Sequence, residues 1–234
     1  MPGILYIVAT PIGNLEDMSF RAIRILGEVD TILSEDTRTT KYLLDHYQIK
    51  TPLVSYHSNA TKGKHEFILR ELSSGKNLAL VSDAGTPGIS DPGNLLVDMV
   101  RINIPDVKII PVPGASALSS AMSVSGMKGN HTVFLGFLPQ KKGRNTALIE
   151  ISKEVGEKTF IFFESTHRIL KLLSEFKKNL PKDVVVLLFR ELTKKFEETL
   201  SGTPEELEDI LTKNKEKTKG EFVVIVGKHI ATKE

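Results

Sequence analysis

Along the first half of the chain, short apolar runs alternate with stretches whose apolar residues recur at helical spacing. Residues 4–9 (I-L-Y-I-V-A) show no polar alternation, which predicts a strand covered on both faces. Residues 31–33 (T-I-L), 53–56 (L-V-S-Y), 78–81 (L-A-L-V) and 107–112 (V-K-I-I-P-V) read as further strands. Helical patterns lie between them: Ala22, Ile23, Ile25 and Leu26 behind a capping Ser19, then Tyr42, Leu43, Leu44 and Tyr47, then residues 66–73, then Leu95, Leu96, Met99 and Val100. Strands and helices in this alternation predict a mainly parallel sheet whose strand ends open on one edge.

The second half starts the pattern again. Small residues fill 116–125 (S-A-L-S-S-A-M-S-V-S), as in a close-packed helix crossing between domains. Strands are expected at 133–135, 159–163, 184–189 and 222–226, and helices at 169–176 and 204–211. The strand heads Phe134, Phe160 and Val184 follow one another closely, which predicts more antiparallel character and hence a mixed sheet. The expected fold class is α/β, with an N-terminal α/β domain over 1–113 and a C-terminal α/β domain over 114–234.

Composition narrows the function classes. The 234 residues are 40% hydrophobic and 26% charged, as in a soluble globular protein with room for two modest domains. The absence of Cys excludes disulfides and thiolate metal sites. No apolar run approaches membrane-spanning length, and Met1-Pro2-Gly3 leads into a strand without the features of a signal peptide, so a cytoplasmic protein with no membrane partner is expected. The net charge of +2 divides into −2 over residues 1–113 and +4 over 114–234, which makes the second half the better place for a polyanion.

The densest chemistry is in residues 82–93, S-D-A-G-T-P-G-I-S-D-P-G. Glycine allows close approach and positive φ, proline fixes its own φ, and Asp and Ser satisfy backbone amides locally. A plain turn needs far fewer residues, and ligands bind α/β sheets at the carboxyl ends of strands, so this is a ligand loop. The chain has no G-x-x-x-x-G-K-[S/T] and no G-x-G-x-x-G after its first strand, which argues against a Walker-type NTPase and a standard dinucleotide site. Its histidines are scattered, and no metal is expected. Glu35-Asp36-Thr37-Arg38 suits either a helix cap or a contact to ribose or phosphate, and Glu164, His167 and Arg168 suit either an ion-paired helix start or catalysis.

Several stretches taken together resemble one family. They are V-A-T-P-I-G-N-L (8–15), S-E-D-T-R-T-T (34–40), the 82–93 loop and V-P-G-A-S-A (112–117). G-F-L-P (136–139), F-F-E-S-T-H-R-I (162–169), R-E-L-T-K (190–194) and K-G-E-F-V-V-I-V (219–226) continue the match over nearly the whole chain. The sequence resembles the tetrapyrrole methylase superfamily, the class III S-adenosylmethionine-dependent methyltransferases, and within it the branch acting on ribosomal RNA.

The resemblance implies two α/β domains with a ligand cleft between them, and S-adenosylmethionine as cofactor. It sets the donor against Thr10, Pro11 and Gly13, against Asp83, Ala84, Gly85 and Thr86, and against Ser116 and Ala117. It implies 2′-O-methylation of a decoding-region cytidine in 16S rRNA of the small ribosomal subunit, by a homodimer. Asp36, Glu164 and His167 are candidates for the base that takes the hydroxyl proton. Arg38, Lys141, Lys142 and Arg144, with Arg168, Arg190, Lys194 and Lys195, are candidates for RNA phosphates. Two other readings use the same fold: a methylase of a tetrapyrrole or corrin precursor, and a non-catalytic RNA-binding factor that senses the donor.

Overall fold

A computed structural model describes residues 1–228; residues 229–234, the end of the expected second domain, lie outside the described residues. The chain divides into two compact units, Met1–Ser116 and a second beginning at Ala117.

The first unit is built on five strands, β1 (Ile4–Val8), β2 (Thr31–Ser34), β3 (Leu53–Ser55), β4 (Leu78–Val81) and β5 (Lys108–Val112). They form one sheet in the order β3-β2-β4-β1-β5, and every pairing is parallel. All five carboxyl ends therefore share one edge. The connecting helices are α1 (Phe20–Glu28), α2 (Thr37–His46), α3 (Lys62–Ser73) and α4 (Gly93–Asn103). The apolar runs are continuous because both faces are covered. Ala79 and Val81 of β4 pack with Ala22, Leu26 and Leu43 from α1 and α2, whereas Leu78 and Leu80 pack with Ile68, Leu72, Leu96 and Val100 from α3 and α4. Ser19 caps α1 as expected, its hydroxyl accepting from Ala22 N at 3.1 Å. Helix α3 begins earlier than its apolar pattern because Thr61 caps it, accepting from Lys64 N.

The second unit opens with α5 (Ala117–Ser123) and continues through β6 (Thr132–Phe137), α6 (Arg144–Glu154), β7 (Thr159–Ser165), α7 (Ile169–Asn179) and β8 (Val185–Arg190). It ends in β9 (Glu198–Gly202), α8 (Pro204–Lys213) and β10 (Glu221–Gly227). The sheet order is β6-β7-β10-β8-β9. The sheet is mixed: β10 lies antiparallel between β7 and β8, and β9 is antiparallel to β8. The pair β6–β7 is parallel, against the antiparallel character that the close strand spacing predicted, because α6 carries the chain back to the starting end. Strand β9 escaped the sequence reading. It is an edge strand with one apolar residue, Leu200, and no hydrophobic run. The core below β7 and β10 centres on Phe160, Phe162, Phe176 and Phe222, with Phe162 and Phe176 edge to face at 5.9 Å.

Candidate active site

Three adjacent strands of the first sheet, β4, β1 and β5, end side by side, so the three loops following them are neighbours. Their backbones are joined directly. Thr10 N donates to Gly85 O at 2.9 Å and Gly85 N donates to Thr10 O at 3.0 Å. The buried Thr10 hydroxyl also donates to Ser82 O at 3.1 Å. On the other side Ala9 N donates to Val112 O at 3.2 Å, and Thr86 Oγ1 donates to Ala115 O at 3.1 Å. A Cβ on Gly114 would stand 3.0 Å from the Ala9 Cβ, so glycine is what lets the third loop pass this close to the first.

The 82–93 loop is shaped from within. Asp91 accepts from Gly88 N at 2.8 Å and from Gly93 N at 2.7 Å, so this carboxylate is used to fold the loop. Asp83 is exposed, and its Oδ1 accepts the Asp36 backbone N–H at 2.9 Å across from β2. Asp36 caps α2, accepting from Arg38 N at 2.8 Å, and forms an ion pair with the Arg38 guanidinium at 2.6 Å. The hydrogen bonds from Arg38 hold the Asp36 carboxyl at about 2. Nearby, burial pushes the Glu35 carboxyl up, and the charges of Asp83 and Asp91 add to the rise. The first unit thus collects Thr10, Pro11, Gly13, Asp83, Ala84, Gly85, Thr86 and Ser116 on one sheet edge, with Asp36 and Arg38 alongside. Ala117 starts α5 and belongs to the second unit.

In the second unit, Glu164 is the penultimate residue of β7, with its side chain fully buried. Its Oε1 lies 2.6 Å from Arg168 Nε, and its Oε2 lies 3.8 Å from Arg144 Nη2. Arg144 is buried as well, with its Nη2 2.7 Å from Glu175 and its Nη1 donating to Pro139 O. These contacts bear on two expectations. Glu164 is an internal counter-ion for two arginines, and Arg144 anchors α6 from a buried position instead of standing on the open surface. Arg190 also has a place within the fold. Its guanidinium donates to the carbonyls of Lys219, Phe196 and Glu216 and so fastens the chain on either side of β9. Lys194 is bridged to Glu191 at 3.0 Å and Glu221 at 2.9 Å. His167, Lys141, Lys142 and Lys195 are exposed, and Arg168 is half-buried. The sequence reading missed Gly114 and Asp91 as builders of the site, although the glycine beside Pro113 and the second acid of the loop were both visible.

A parallel sheet whose adjacent strand ends form a glycine- and hydroxyl-rich bed, joined in one chain to a mixed sheet, defines a two-unit α/β ligand-binding protein. Residues 4–208 match the family described as Tetrapyrrole (Corrin/Porphyrin) Methylases, and the chain belongs to that family. Among curated proteins it is 46% identical over 226 residues to the Ribosomal RNA small subunit methyltransferase I of Xylella fastidiosa, covering 96% of this chain and 81% of that protein. The protein of the same name from Leptospira biflexa is 43% identical over 226 residues, covering 96% of this chain and 91% of the relative. Among solved structures, a diphthine synthase superposes with a TM-score of 0.71 at 12% identity, covering 97% of this chain and 89% of that one. The uroporphyrin-III C-methyltransferase of Thermus thermophilus with S-adenyl homocysteine superposes with a TM-score of 0.63 at 17% identity, covering 96% and 97%. No helix among the described residues is long and apolar enough to cross a membrane.

Proposed function

We propose that this protein transfers the methyl group of S-adenosylmethionine to the 2′-hydroxyl of a decoding-region cytidine in 16S rRNA of the small ribosomal subunit. The observation that carries the reading is the match over nearly the whole chain, at 43–46% identity, to proteins named for methylation of small-subunit ribosomal RNA.

The donor bed fits the cofactor chemically. One exposed carboxylate, Asp83, is available to ribose hydroxyls or an ammonium group, and backbone groups of the paired loops are available to a carboxylate and an adenine. When bound, S-adenosylmethionine supplies a methyl already activated by the sulfonium charge. The chain's own residues then have two tasks. They hold the attacking oxygen in line with the methyl carbon, and they accept the hydroxyl proton as the new C–O bond forms and the C–S bond breaks. Asp36 is kept ionised by Arg38, which makes it a weak base and a good hydrogen-bond acceptor for a ribose hydroxyl. Glu164 is occupied by its arginines. His167, exposed and in no ion pair among the described residues, is the side chain we assign to receive the proton. Arg38, Lys141, Lys142, Arg168 and Lys195 are assigned to RNA phosphates. The protein is proposed to act as a homodimer in the cytoplasm, where small subunits are assembled.

The test is to incubate labelled S-adenosylmethionine with small subunits lacking this modification. Label in a ribose-methylated cytidine is expected, and label appearing only in a tetrapyrrole acceptor would overturn the substrate.

A further inference from the structure

The second unit contains a cavity that borders on the proposed proton acceptor, His167, and holds more than the methyl transfer itself requires. This cavity of about 540 Å³ opens where β7 passes into α7, lined in part by Lys141, Arg144, Ser165, His167, Arg168 and Lys171. Its four permanent cations face two carboxylates, Glu164 and Glu175, which leaves a surplus of two positive charges. Helices α6 and α7 both start at this cavity, at Arg144 and just after Arg168, and neither has a side-chain cap. Their free N–H groups add to the attraction for an anion. Arg144, with its side chain 6% exposed, lines the cavity, and its Nη2, although 2.7 Å from Glu175, makes no hydrogen bond of good geometry. A phosphate is the anion such a set of donors fits.

Beside the cavity stands an aromatic ring that the strand has turned outward. The β6–β7 register shifts between Phe134 and Phe137, and Gly136 has φ +61, so the alternation of β6 breaks there. Phe137 is left 54% exposed. It is nevertheless held in place, with Phe163 edge-on at 5.6 Å and Phe134 in turn against Phe163 at 5.1 Å. The Arg168 guanidinium carbon lies 5.8 Å from the Phe137 ring centroid, so this one arginine belongs to both the ring and the cavity.

We infer that ring and cavity together form a nucleotide subsite: Phe137 stacks on an unpaired base of the RNA, and the cavity takes an adjoining backbone phosphate. The inference rests on the RNA reading above and deepens it. A fixed aromatic next to a cationic hollow is how proteins grip single-stranded RNA without reading its sequence. Lys171, which the sequence patterns did not single out, becomes a phosphate contact, and Arg168 joins the two halves of the site.

The experiment is fluorescence anisotropy of a short, unpaired, labelled oligoribonucleotide titrated with the full chain at several salt concentrations. Phe137→Ala is expected to weaken binding at least about fivefold, the lower limit for one stacked base, with the salt dependence unchanged. Phe137→Tyr is expected to bind within about twofold of the parent, because stacking survives. Lys171→Gln is expected to weaken binding and lower the slope of log affinity against log salt by about 0.7, one phosphate contact to a single strand. Calorimetric titration with S-adenosylmethionine and thermal melting, run on each variant, should be unchanged.

Parent-like binding by Phe137→Ala, equal losses in the Ala and Tyr variants, or no measurable binding by the parent would each overturn the subsite. So would loss of self-association in Phe137→Ala with RNA binding intact, since the ring would then face a second copy of the chain. Failure of the parent to methylate small subunits would count against the proposed function and leave the oligonucleotide result standing.

Discussion

Replacing Gly85 by Ala tests the joined loops directly. Gly85 has φ +79, a conformation that costs an L-residue about 1–2 kcal/mol. The added Cβ would lie 3.2 Å from Ile12 Cγ2 and 3.7 Å from Ala115 O, so Ile12 must shift by a few tenths of an ångström. Both amide groups of Gly85 pair with Thr10, and each of these hydrogen bonds contributes about 0.5–1.5 kcal/mol net. If the pairing survives, the loss is about 1–2 kcal/mol; if it breaks, the total rises to roughly 2–5 kcal/mol. Gly75→Ala is the control. It has φ +94, its nearest neighbour would be 3.4 Å away, and it precedes β4 at the opposite end of the strand. Denaturation should show a loss of at least about 1 kcal/mol for both variants. Calorimetric titration should show a fall of about tenfold or more in S-adenosylmethionine affinity, about 1.4 kcal/mol, for Gly85→Ala alone. Unchanged donor affinity in Gly85→Ala, at a stability loss matching the control, would refute the donor role of the paired loops.

Other substitutions probe the rest of the frame. Gly3→Ala would put a Cβ 1.8 Å from the Lys76 carbonyl oxygen, and a loss of about 3 kcal/mol or more is expected on denaturation; near-parent stability would mean that the β1 entry is laxer than described. Glu164→Gln removes a buried carboxylate shared by two arginines and is expected to cost about 3 kcal/mol, whereas a catalytic Glu164 would lose turnover at full stability. Asp36 has a folded pKa of about 2 against an ordinary value of 3.8, so its contribution is present above about pH 4 and is lost as the pH falls toward 2. Its carboxyl signal in an NMR titration should move near pH 2, and Arg38→Gln should raise the midpoint toward 3.8; a parent midpoint already at 3.8 would show that the pair does not form in solution.

The first unit was legible in the sequence because its strands are doubly covered, so Leu78-Ala79-Leu80-Val81 and its counterparts stand out as unbroken apolar runs. The special backbone of the 82–93 loop was legible because glycine, proline and aspartate each impose local geometry. Strand β9 was hidden because an edge strand has no need of a hydrophobic run, and its anchorage comes from Arg190, distant in sequence from the Lys219 carbonyl it holds. The roles of Glu164 and Arg144 were hidden for a related reason. A charged residue at a strand or helix end looks the same in sequence whether it faces water or another charge, and only the packing of α6 and α7 on β7 brings Glu175 and Glu164 to Arg144.

The amide of Asp36 has a consequence for affinity. By engaging Asp83 Oδ1, it settles the torsions of that side chain before any ligand arrives. Immobilising a side chain on binding otherwise costs about 0.5–1.5 kcal/mol, so a hydroxyl or ammonium group meeting Asp83 is spared much of that entropic loss. The neighbouring helix cap thus preorganises the carboxylate for whichever donor group it meets.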